Sequence, residues 1–116
     1  NATFVMQAWL FHSGFWTQDK IKAYLAAVPD DVMLILDLNA ESSPLWNVTD
    51  NFYGKPWVWN MLHNYGGMRG IYGDLTTINT APAAALTSSG SKMIGIGFTP
   101  EAIEHNPMLY EFLSTK

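Results

Sequence analysis

Four apolar runs, at residues 4–10, 32–38, 57–62 and 93–98, recur at intervals of about 25 to 35 residues along this 116-residue chain. Each is nearly continuous in hydrophobicity instead of alternating, the pattern of strands buried on both faces, as in a parallel sheet. Parallel neighbours require a crossover of about a dozen residues or more, and every interval has room for one. The first crossover carries the clearest helix. Thr17 is placed to cap it, Ile21, Tyr24, Leu25 and Val28 recur at helical spacing, and Pro29 stops it. In the third interval Gly66-Gly67, Gly70 and Gly73 loosen the start, Leu75 with Ile78 forms one short apolar stripe, and residues 82–86 add a further helical turn. After the fourth run, residues 100–104 and 107–113 each open on a proline, which is favoured at the first position of a helix.

This alternation predicts an α/β fold built of right-handed βαβ units. About four such units make half of a (β/α)8 barrel or part of a doubly wound sheet. A doubly wound nucleotide fold would place a Gly-rich phosphate turn after its first strand, and Ser13-Gly14 does not supply one. The barrel is therefore the expected architecture.

Composition narrows the function. Hydrophobic residues make up 48% of the chain and charged residues only 14%, against about 25% charged in an average soluble domain. A globule of this size standing alone would need more charge to cover its surface, so the chain is expected to be part of a longer protein. Its opening Asn1-Ala2-Thr3, running directly into a strand-like segment, points the same way. The net charge is −4, and the six basic residues are scattered, so no nucleic-acid partner is expected. No apolar run reaches the roughly 20 residues that span a bilayer. Cysteine is absent, and His12, His63 and His105 show no ligand spacing, so neither a metal site nor a cofactor is expected. Asn1-Ala2-Thr3 and Asn47-Val48-Thr49 are sequons, with Asn47 a candidate for N-glycosylation.

The polar residues that carry chemistry gather at the C-terminal ends of the apolar runs: Trp9 and His12, then Asp37, Asn39 and Glu41, then His63 and Asn64, then Glu101. Barrel enzymes keep their catalytic groups at that end, on the loops after each strand. Asp37 reads either as a buried carboxylate accepting loop N–H groups or as a substrate ligand. Glu101 reads either as a first-turn acid favoured by a helix dipole or as a reactive group. The segment 57–67 concentrates aromatic and amide side chains, as sugar-binding surfaces do. Trp57 and Trp59 suit either sugar stacking or the interior, and Gly66-Gly67 would let the backbone approach a ligand.

The blocks QAWLF at 7–11, LDLNAES at 36–42, KPWVWNMLHNYGG at 55–67 and GIGFTPEAIEHNP at 95–107 resemble, in the same order and at similar separations, the α-N-acetylglucosaminidases of glycoside hydrolase family 89. The resemblance covers nearly the whole chain. It implies the C-terminal part, about four β/α units, of a (β/α)8 catalytic barrel that hydrolyses terminal α-linked N-acetylglucosamine with retention, on heparan-sulfate-type or related glycans. It further implies that Glu101 is the catalytic nucleophile, that Trp9, Leu38 and Tyr65 line the sugar pocket, and that Asp37, His63 and Asn64 support it. Relatives in animals are lysosomal, and bacterial members are secreted or surface-attached.

One departure from the family pattern matters. The general acid/base of the family is the Glu of an Asn-Glu pair, and this chain has no such dipeptide. Retaining glycosidases need two carboxyl groups about 5 to 5.5 Å apart. The acid is therefore expected upstream of Asn1, on the remainder of the same catalytic domain, and these residues alone are expected to be inactive. Two alternatives stand beside this reading. One is a carbohydrate-binding or structural remnant of the barrel without turnover; the other is a different hydrolase in which Glu41 or Asp37 serves as the acid.

Overall fold

The computed structural model describes residues 2–65 and 72–116. Its described strands form one parallel sheet in the order β1 (Phe4–Gln7), β2 (Met33–Asp37), β3 (Trp57–Met61), β4 (Met93–Phe98). Spatial order equal to chain order is what a (β/α)8 barrel requires, because each unit is laid beside the last in one direction. A doubly wound sheet would reverse direction at a switch point.

Alternation along the strands separates two faces. On one, Met33, Ile35 and Asp37 of β2 and Trp57, Trp59 and Met61 of β3 are buried. They share a core with Ile21 and Leu25 of α1 (Gln18–Ala26), Ile78 and Ala85 of α3 (Leu75–Thr87), and Leu109 and Leu113 of α4 (Pro107–Ser114). Trp57 and Trp59 are wholly inside this layer, which decides between the two readings of them in favour of the interior. The other face carries Leu34, Leu36 and Val58, all half-buried, with Asn60 opposite Gly97 in register. A Cβ on Gly97 would land on Asn60 Oδ1, so the small residue lets that side chain lie across β4. The two edge strands leave apolar groups open: Phe4 and Val5 on β1, Ile94 on β4.

Several local expectations are met. Thr17 caps α1 by accepting from Lys20 N, and the helix ends before Pro29. Others are corrected. The first apolar run is a strand only to Gln7; residues Ala8–His12 form a 3-10 turn, so Trp9 sits on a turn beyond the strand. Residues 82–86 are helical as expected, but as the C-terminal part of one continuous helix, α3, which runs through Pro82 after Asp74 caps it by accepting from Thr76 N and Thr77 N. The helix expected at 100–104 does not form. Its backbone is engaged by the neighbouring strand exit, and α4 starts later, at Pro107, where Asn106 Oδ1 accepts from Met108 N. The expected turn at Gly66-Gly67 and Gly70, and the sequon at Asn1, lie outside the described residues.

One element was not legible at all. Asp50–Tyr53 (α2) form a single turn in which all four residues have positive φ, from 48° to 53°. Non-glycine residues resist this region by about 1–2 kcal/mol each. Here the turn is held by Thr49 Oγ1 accepting from Phe52 N, by Asn51 Nδ2 donating to Ser89 O and by the buried Phe52 ring against Trp57. It lies at the N-terminal end of β3, away from the site.

Candidate active site

The exits of β2, β3 and β4 are stitched to one another, mostly by residues singled out in the sequence. Asp37 ends β2 on the helix-facing side, with no exposed surface. Its Oδ2 accepts from both Leu45 N and Trp46 N at 2.9 Å, which clamps the loop after β2 and lays the Trp46 ring on Trp57, 5.9 Å between centroids and 12° from parallel. Burial pushes the Asp37 carboxyl up to about 6, against the two backbone N–H groups that favour its ionised form; nearby Glu41 adds to the rise. Asp37 is thus a buried carboxylate that accepts two loop N–H groups, as the first of its two readings has it.

Glu41, on that loop, reaches across to the exit of β3. Oε2 accepts from Leu62 N at 3.2 Å and Oε1 from His63 N at 2.6 Å. Burial raises its pKa as well. The two amides belong to a tight turn in which Asn64 N donates to Leu62 O at 2.8 Å around His63 at φ 61°, a strained three-residue geometry that needs such external support. Both Asp37 and Glu41 are thus engaged by pairs of main-chain donors.

The turn delivers Asn64 to the segment after β4. Asn64 is fully buried; its carbonyl accepts from Glu101 N at 3.4 Å and its Nδ2 donates to Glu104 O. Thr99, just before, donates from its hydroxyl to Leu38 O at 2.9 Å and from its amide to Met61 O at 3.0 Å, tying the ends of β2, β3 and β4 together. Leu38 is buried at this junction. Thr99 was not singled out in the sequence, and no residue-level signal marks it. His63 is buried; Nε2 lies 3.1 Å from Tyr72 O, its ring stacks on Tyr72, and Nδ1 faces Tyr110 and His105.

On this base three predicted residues are exposed. Trp9 is 46% exposed and stands edge-on to His12, Tyr65 is 39% exposed, and Glu101 is exposed. All three lie beyond the C-terminal ends of their strands. Among the described residues Glu101 pairs with no cation; the ion pair present is Lys55 with Asp30, at the opposite end of the sheet. No three His, Asp or Glu side chains among the described residues converge as a metal site would need. The seven predicted site residues therefore divide into an exposed set, Trp9, Tyr65 and Glu101, and a buried set, Asp37, Leu38, His63 and Asn64, that holds the loops beneath it.

Comparison with known proteins shows which family the chain falls in. Human alpha-N-acetylglucosaminidase is 42% identical over 116 residues, 98% of this chain and 16% of the human protein. A family 89 glycoside hydrolase from Clostridium perfringens, solved in complex with PUGNAc, is 37% identical with a TM-score of 0.73, covering 97% of this chain and 12% of that one. The same fold match, at 36% identity, holds for the clostridial enzyme bearing two Glu-to-Gln substitutions in complex with its substrate GlcNAc-alpha-1,4-galactose. The chain spans less than a fifth of the length of these relatives. Over residues 1–116 it matches the family described as the alpha-N-acetylglucosaminidase (NAGLU) tim-barrel domain, and it belongs to that family.

Proposed function

We propose that this chain is the C-terminal part of the catalytic barrel of a retaining exo-glycosidase that releases terminal α-linked N-acetylglucosamine, with Glu101 as its nucleophile. The observation that carries the reading is the contrast among the carboxylates at the C-terminal end of the sheet. Asp37 is buried and Glu41 half-buried, each accepting two main-chain amides, whereas Glu101 is exposed, with its backbone anchored through Asn64. A carboxylate that must attack an anomeric carbon has to be fixed in place yet free at its oxygens.

The chemistry of the substrate supports a protein nucleophile. In an N-acetylglucosaminide the 2-acetamido oxygen closes a ring onto C1 only on the α face, the face an α-linked leaving group occupies. Attack from the β face falls to the enzyme. Glu101 forms the C1–O bond as the glycosidic C1–O bond breaks; a second carboxyl protonates the departing oxygen and then takes a proton from the incoming water. That second carboxyl belongs to the remainder of the barrel upstream of this chain, which also covers the open edges of β1 and β4. Support comes from the clostridial relative, whose form with two glutamates replaced by glutamine was captured with its substrate. Trp9 and Tyr65 offer rings to the apolar face of the sugar. Residence in a lysosome or outside the cell, with Asn47 carrying a glycan on its exposed position, belongs to the same proposal.

In the full-length protein, Glu101→Ala should abolish turnover of an aryl α-N-acetylglucosaminide, and azide should restore cleavage by entering from the vacated face to give the β-glycosyl azide. Rescue yielding the α-azide would contradict the assigned face. Sugar binding without turnover by the unsubstituted protein would instead favour a binding remnant.

A further inference from the structure

Tyr110, on the first turns of α4, places its hydroxyl between two histidine rings, 2.9 Å from His105 Nδ1 and 3.3 Å from His63 Nδ1, the two nitrogens themselves being 3.5 Å apart. We propose that this phenol is a positioning residue for the nucleophile, fixing the segment 101–106 onto the exit of β3 through one directed chain of hydrogen bonds. The proposal rests on the reading of Glu101 given above.

The direction of the chain follows from its far end. His63 Nε2 faces the carbonyl of Tyr72 at 3.1 Å, and a carbonyl only accepts, so Nε2 carries the proton. In neutral His63, Nδ1 is then bare and accepts from Tyr110 Oη–H. The phenol has one proton to give, so the shorter contact must run the other way: His105 Nδ1–H donates to Tyr110 Oη. The order His105 to Tyr110 to His63 to Tyr72 O uses each of these donors and acceptors once. Burial, with Glu41 and Tyr72 adding, pushes the Tyr110 phenol up to about 12, so it stays protonated as the chain requires.

Geometry makes this more than a local contact. His105 closes the segment that begins with Glu101, and His63 is the strained centre of the turn that delivers Asn64 to Glu101 N and Glu104 O. Glu41 holds the same turn from the other side. The segment 101–106 has no helix or strand of its own, so its shape is set by Asn64 at one end and by Tyr110 at the other. Neither His105 nor Tyr110 needs to touch the sugar for this to matter, since displacement of a reacting group by about 1 Å costs up to about 100-fold in rate.

The test uses the full-length protein and an aryl α-N-acetylglucosaminide. Tyr110→Phe keeps the ring and removes only the hydroxyl; His105→Ala removes the donor; His105→Asn restores a donor at the position of Nδ1. The expected result is a fall in kcat of about 10- to 100-fold for Tyr110→Phe and for His105→Ala with KM within about threefold, no further loss in the double variant, and recovery in His105→Asn. Unchanged kcat in Tyr110→Phe, or losses that track only a fall in melting temperature and are not recovered in His105→Asn, would overturn the proposal. Glu101→Gln, measured alongside, separates the two readings. If it is inactive while Tyr110→Phe equals the unsubstituted enzyme, the positioning role alone fails; if it retains turnover, the nucleophile assignment fails and takes this one with it.

Discussion

Asn64 holds Glu101 by its main chain, its carbonyl accepting the Glu101 amide at 3.4 Å, while its side-chain Nδ2 donates three residues on, to Glu104 O. Both bonds come from a residue with no exposed surface. Glu101 is exposed, but the residue that anchors its segment is not, and this division governs what substitutions should do.

Replacing Asn64 with Ala leaves the Glu104 carbonyl without its donor and the segment 101–104 with only the main-chain anchor. The expected cost is about 1–3 kcal/mol of stability together with a fall in kcat of about 10-fold or more while KM moves little. Steady-state kinetics and thermal unfolding of the full-length variant check both. A rise in KM with kcat intact would mean that Asn64 binds sugar directly.

Asp37 should make stability depend on pH in the direction opposite to most carboxylates. Its folded pKa of about 6 lies above the ordinary 3.8 of a free aspartate side chain. The native state therefore binds the proton more tightly than the unfolded chain. The favourable contribution is fully present below about pH 4 and is lost as pH rises to about 6, a loss of about 3 kcal/mol. Asp37→Asn keeps an oxygen for Leu45 N and Trp46 N and cannot ionise, so it should remove this slope in denaturant titrations run across pH 4 to 6. Asp37→Ala, which abandons both loop amides, should destabilise at every pH.

Gly97 should not tolerate a side chain. Alanine there meets Asn60 Oδ1 and Val58, and the strand has no slack to move away because Thr99 and Met61 fix its end. A loss of about 1–3 kcal/mol is expected for Gly97→Ala, read as a lowered denaturation midpoint. Unaltered stability would show that Asn60 can vacate its place over β4 freely.

Trp9 should act on binding alone. Half-exposed, on a turn past the strand and edge-on to His12, it supports no buried core, so Trp9→Ala should leave the unfolding temperature nearly unchanged while KM for an N-acetylglucosaminide rises by about 10-fold. A lowered unfolding temperature with normal KM would make it a packing residue.

Much of this architecture was written plainly in the residues. Apolar runs at crossover spacing mark all four strands, the exposed edges β1 and β4 as well as the more buried β2 and β3, and Thr17 with Ile21 and Leu25 marks α1 in the same way. Proline misled twice, in opposite senses. Pro82 sits inside α3, where Asp74 and the buried Ile78 and Ala85 outweigh one missing N–H. Pro100 starts no helix, because the amide of Glu101 and the carbonyl of Glu104 are already bonded to Asn64. The left-handed turn at Asp50–Tyr53 and the bridging roles of Thr99, Glu41 and Tyr110 depend on which strand exits become neighbours, information carried by the tertiary fold and not by local pattern. Family resemblance named Glu101, Trp9, Leu38 and Tyr65, with Asp37, His63 and Asn64 as supports; the structure adds the bonds those last three make, Asp37 to Leu45 N and Trp46 N, Asn64 to Glu101 N and Glu104 O, and His63 to Tyr72 O.

The most direct test is to trap the covalent intermediate. The full-length protein, inactivated with a 5-fluoro N-acetylglucosaminyl fluoride and digested, should carry one sugar on the peptide containing Glu101, and fragmentation should locate it on that side chain. A label on any other carboxylate, Asp37 and Glu41 included, or an active enzyme that is never labelled and inverts the anomeric centre, would contradict the account.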